Sequence, residues 1–204
     1  RKVDTEEIED IREFLLGEVS ANAPKTPEPA RDEDLAAMRL KFRLGDASEA
    51  EPALARYRRL HLDQPDDPRI EDAYLMALLL AANHPDATEL RSELDVALER
   101  YVKAREDTSL AYALCVAREG LRIRYATDFI AMNESFERGR RIIEAALDEY
   151  ESDIDVLVTA AKFEFYTPAE YGGNPKRGRN FLIRAAGAAD QEVLRQSLLE
   201  AGRG

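Results

Sequence analysis

Two pairs of arginines, Arg39/Arg43 and Arg118/Arg122, stand four residues apart in a 204-residue chain of net charge −12. On a helix, residues four apart share a face, so each pair presents two guanidinia side by side. Guanidinia bind carboxylates through charge-assisted, often bidentate hydrogen bonds, which suits capture of an acidic peptide or a C-terminal carboxylate. The same spacing also serves surface ion pairs with neighbouring Asp and Glu, which add little stability. Both uses stand on the sequence alone.

A second set, Tyr171-Gly172-Gly173-Asn174, is followed by Lys176, Arg177 and Arg179. Free amides at a helix start attract negative charge, so this loop could cradle an anion. The plainer expectation is that its glycines supply positive φ for a tight turn into an Asn174 cap, and no Walker-type Lys-Ser/Thr follows.

The remaining candidates for chemistry are weak. His61 and His84 are the only histidines, neither in a metal-spaced cluster, and one cysteine cannot complete a zinc site. Cys115 shares a helical stripe with Ala111, Arg118 and Arg122, and two arginines would lower a thiol's pKa. No histidine base lies near it in sequence, and a free cysteine of this kind usually packs as a small apolar residue. Among 41 acidic residues, pairs such as Asp153/Asp155 and Glu164/Glu170 are expected by chance, and read as helix-start charges and a solvated face. The sequence thus predicts no catalytic residue, no metal site and no cofactor.

The elements that must position these side chains are helices. Asp4 to Val19 reads as an amphipathic helix with Asp4 and Glu7 at capping-box spacing. Pro24, Pro27 and Pro29 make residues 20–30 an extended connector. From residue 31 to 204 helical periodicity hardly stops and strand signals are absent. Breaks are expected at Gly45-Asp46, Gln64 to Pro68, Asn83-His84-Pro85, Glu106-Asp107, Met132-Asn133, Glu151 to Asp153 and Thr167 to Asn174. Asp46/Glu49 and Asp86/Glu89 have capping-box spacing, and Asn174-Pro175 suits a helix start. The expectation is eight helices after the connector, counting a last one over 190–201. Two of them, Pro68–Asn83 and Asp153–Tyr166, are apolar nearly all round and so belong inside the stack.

The second helices of successive pairs share a small-x3-large-x2-small pattern: Ala53, Tyr57, Leu60; Ala97, Tyr101, Ala104; Gly139, Ile143, Ala146; Gly178, Leu182, Ala185. Small residues let a neighbouring helix approach, and the large one fills the gap between turns; stacking such hairpins covers faces that one alone leaves bare. Ala53, Tyr57 and Pro65 follow the order of the tetratricopeptide repeat, which the chain resembles over roughly residues 31–190. The family's Trp and Leu-Gly signature is missing. The resemblance implies an all-α, right-handed stack of about four antiparallel helix pairs whose first helices, carrying the arginine pairs, line a groove for a protein or peptide partner. The 171–179 loop is similar to one in bacterial helical-repeat proteins such as the periplasmic T component associated with TRAP transporters. That likeness implies an alternative, a solute-uptake accessory with an apolar ligand path.

Charge narrows the partners. A pI near 4.8 disfavours nucleic acid and anionic membrane surfaces. The longest apolar run, Ala73 to Ala82, is about half of what a bilayer crossing needs. The chain opens on Arg1 rather than Met, which leaves an upstream segment, and with it the compartment, open. The oligomeric state is equally open.

Overall fold

The computed structural model describes residues 30–105, 108–190 and 192–203. Among the described residues there is no strand, and nine α-helices follow one another: α1 (Asp32–Leu44), α2 (Ala50–Asp63), α3 (Pro68–Ala82), α4 (Thr88–Ala104), α5 (Ser109–Arg124), α6 (Phe129–Glu149), α7 (Ile154–Tyr166), α8 (Pro175–Ala188) and α9 (Glu192–Arg203). The described residues are all-α, with one helix more than the sequence suggested after the connector. The helix expected over 1–19 and residues 20–29 of the connector lie outside the described residues.

Most ends have local chemistry behind them. Asp67 accepts from the Arg69 amide at 2.9 Å, and Pro68 fills the first turn of α3. Asp153 accepts from the amides of Asp155 and Val156 to start α7, and Asn174 accepts from that of Arg177 to start α8. Gly45 ends α1 at φ 71, and the next amide, that of Asp46, reaches back to the Lys41 carbonyl. Such a left-handed residue is nearly free for glycine alone.

Three expected boundaries shift. No break occurs at Met132-Asn133, because Asp128 accepts from the Ala131 amide at 2.8 Å and starts α6 earlier. Asp46 accepts from the Ser48 amide two residues on, closing a turn instead of capping α2, which begins only at Ala50. Asp86 likewise does not cap α4, which opens at Thr88 behind Ala87.

Packing follows the apolar faces. The first helices touch in succession, α1 on α3, α3 on α5 and α5 on α7, and α7 in turn touches α1. These four close into a ring. The second helices sit outside: α2 on α3, α4 on α3 and α5, α6 on α5 and α7, α8 on α7, while α9 joins α8 to α1. Every residue from Ala73 to Ala82 is buried, as is most of α7, so the two all-round apolar helices are interior. Two apolar clusters form, one chiefly around α3 with Leu78, Leu98 and Leu114, the other around α7 with Leu157, Ile143 and Leu182. Both draw on α5. A fully buried leucine contributes about 1.5–3 kcal/mol, so each cluster is a substantial core.

The small residues sit at close approaches. A Cβ on Gly139 of α6 would lie 2.3 Å from the Phe163 ring of α7, and one on Gly178 of α8 would lie 3.1 Å from the Ala161 carbonyl. Tyr57, Tyr101, Ile143 and Leu182, the large members of the pattern, are all buried. Ala104 is the exception and is exposed.

Candidate functional site

The four expected groove arginines are engaged by carboxylates of this chain. Asp155, fully buried on the first turn of α7, accepts from Arg39 Nε at 2.8 Å and from Arg43 Nε at 2.5 Å. The pair therefore bolts α1 to α7 across more than a hundred residues. Glu119, also fully buried, accepts from Arg118 Nη2 at 2.9 Å, Arg122 Nη1 at 3.1 Å and Arg138 Nε at 3.2 Å. Arg122 also reaches Asp95 at 2.9 Å. Asp155 is thus no part of a solvated face, and neither is Glu164, which is buried against Arg177 at 3.3 Å. Buried carboxylates need such partners, since an unpaired one costs several kcal/mol or about that.

The Tyr171 to Asn174 loop is internally satisfied. Tyr171 ends a 3-10 turn (Ala169–Tyr171) and lies against the Phe129 ring at 5.5 Å. Gly172 has φ 87, and its carbonyl accepts from Arg140 Nη2. The Gly173 amide donates to the Pro168 carbonyl, and a Cβ there would meet the Thr167 carbonyl at 1.8 Å. The Asn174 amide donates to Glu164 Oε2 at 2.9 Å, so the place an anion would take already holds a carboxylate. Here the turn explains the glycines; only Gly172 needs positive φ, and Gly173 serves close approach.

What the closed ring creates is a cavity of about 100 Å³. Its wall comes from the C-terminal halves of the four inner helices: Phe42 at the end of α1, Leu79 and Leu80 of α3, Val116, Gly120 and Arg124 of α5, and Thr159, Lys162 and Tyr166 of α7. Among the described residues, two cations and no carboxylate line it. Lys162 Nζ donates to the Phe42 carbonyl at 2.9 Å, and no described carboxylate comes within ion-pair distance. Burial takes this ammonium out of water and holds its pKa down at about 8. Arg124, exposed at the rim, donates to Asn83 Oδ1 at 2.7 Å and lies 5.0 Å over the Tyr166 ring. Cations at helix C-termini complement the peptide dipoles, which helps explain why both are tolerated there.

Toward the N-terminal ends of α3 and α7 the polarity reverses. Asp72 accepts from Tyr101 Oη at 2.8 Å and Arg105 Nη1 at 3.0 Å. Burial pushes the Asp72 carboxyl up, against the lowering effect of these two donors and of Arg39. The inner ring is therefore an ion-paired, hydrogen-bonded structure at one end and an apolar, cationic hollow at the other.

Sequence reasoning does not single out Lys162, although a signal exists: it is the one basic residue of the largely buried α7. The Cys115 thiol is half-buried, and burial pushes its pKa up despite Arg118. His61 stacks on Tyr74 with ring centroids 5.1 Å apart, and His84 sits exposed with Nδ1 accepting from the Asp86 amide. Among the described residues, no group of three or more His, Cys, Asp or Glu is arranged to hold a metal ion, and no helix is long and apolar enough to cross a membrane. Compared with protein-family models, with curated proteins and with solved structures, the chain matches none of them.

Proposed function

We propose that this chain is a non-enzymatic solute-binding accessory, a degenerate tetratricopeptide-like stack whose four inner helices enclose a small ligand. The observation that carries this reading is the contact of α7 with α1, which turns a row of hairpins into a wall around an apolar hollow. Dry cavities of roughly 150 Å³ take up benzene or xenon, so a hollow of this order that opens past Arg124 and Tyr166 suits a ligand no larger than a monosubstituted benzene. The resemblance of the Tyr171–Arg179 loop to one in the T component of TRAP transporters suggests the same assignment. Partnership with further transport proteins belongs to that proposal.

A titration with benzyl alcohol followed by amide NMR tests it. Shifts should cluster at Ala117, Gly120 and Thr159, and Gly120→Leu should abolish them, since a Cβ at Gly120 meets nothing within 4 Å and the added side chain would fill the space. The rival reading, an acidic peptide held by Arg39, Arg43, Arg118 and Arg122, is weakened because each guanidinium already has a carboxylate. Binding of an acidic peptide that vanishes in Arg118→Ala/Arg122→Ala, with no cavity binding, would decide for the rival.

A further inference from the structure

We propose that the ligand of this cavity is a small organic anion, its apolar body against Leu79, Leu80, Val116 and Phe163 and its carboxylate on Lys162 Nζ, with Arg124 at the rim. The inference rests on the cavity reading above and adds the chemical class. The wall supplies apolar carbon on all four helices and a positive charge on two of them, with no carboxylate to compete. In a chain of net charge −12 where Arg39 and Arg43 are paired with Asp155, and Arg118 and Arg122 with Glu119, that local excess is the reverse of the whole.

The state of Lys162 completes the argument. A lysine drawn into an apolar wall loses hydration and regains one neutral acceptor, the Phe42 carbonyl, and the face of the Phe42 ring at 5.9 Å, neither of which is a counter-charge. An entering carboxylate would supply the missing counter-charge in a medium where screening is weak. The groups facing Lys162 that carry or could carry charge are Arg124 from α5 and Tyr166 from its own helix; α1 and α3 contribute the Phe42 carbonyl, the Asn83 amide and apolar side chains. Lys162 has a pKa of about 8, so anion binding weakens as pH rises past that value and binding in turn raises it.

The test compares three ligands of one shape on the intact chain at pH 7: benzoate, benzyl alcohol and benzylammonium. Benzoate should bind about tenfold or more tightly than benzyl alcohol, as a charge-assisted bond replaces a neutral one, and benzylammonium should bind worst. Lys162→Met should erase the benzoate advantage while leaving benzyl alcohol affinity within about threefold, a change too small to be a charge-assisted bond. Benzoate affinity should fall between pH 7 and 9.5 in the parent and stay level in Lys162→Met. Equal binding of benzoate and benzyl alcohol overturns the anion assignment and leaves the cavity reading standing. An advantage that survives Lys162→Met overturns the role of Lys162. Failure of all three ligands removes the cavity reading itself.

Discussion

Asp155 gives the residue scale its sharpest consequence. With both oxygens taken by Arg39 and Arg43 and none of its side chain in water, Asp155→Asn leaves two guanidinia facing a neutral amide. Breaking a buried pair in this way costs about 3–5 kcal/mol, which urea denaturation will read as a lowered midpoint. Lys162 predicts a pH effect of the opposite character. Its pKa falls from 10.5 to about 8 on folding, so between those values the unfolded chain holds the extra proton and stability rises with pH. In ligand-free protein, the parent should gain roughly 2 kcal/mol on Lys162→Met when pH is raised from 7 to 9.5, about one proton over a unit and a half. Neither residue stood out in the sequence. Local reading pairs a charge with neighbours three or four away, whereas the partners of Asp155 lie 112 and 116 residues back.

Helix contacts set the next predictions. Gly139→Ala should destabilise by about 1–3 kcal/mol, because the methyl group enters the Phe163 ring and overpacks the α6–α7 seam. Gly120→Ala is its counterpart: the new methyl group is unopposed, and ordinary helix propensity should return about 0.5–1 kcal/mol. Thermal melts of the two variants will separate packing from propensity. Tyr101→Ala, which empties a buried site and strips Asp72 of a donor, should cost about 3–5 kcal/mol. The Gly139 seam was legible in advance, since a glycine in a helix facing a large side chain marks where two helices come near. The start of α8 was legible too, from Asn174 before Pro175. Where expectation and structure part, Asp46 closes a turn onto Ser48 instead of capping α2, α4 opens behind Ala87 rather than Asp86, and Asp128 starts α6 ahead of the expected break.

For the molecule as a whole, the two apolar clusters share α5 and are joined a second time by α1 on α7. That double linkage predicts one cooperative unfolding step. Arg39→Ala/Arg43→Ala removes the ionic part of the second link, and its urea transition should broaden, with tyrosine signals from the α3 cluster separating from amide signals of the α7 cluster. The all-α class was readable from periodicity, and so was the burial of α3 and α7. Closure was not, because a ring depends on the small turn between successive hairpins, and no single residue type encodes that angle.

The contact of α7 with α1 fixes how many hairpins this architecture accommodates. An open spiral tolerates another unit spliced between two others, since each meets only its neighbours. Here a fifth inner helix would carry Asp155 past Arg39 and Arg43, strand three charges and leave the hollow without its Lys162 wall. Size variation in such a molecule is therefore confined to loops and ends, and the bore stays at the calibre that four helices allow.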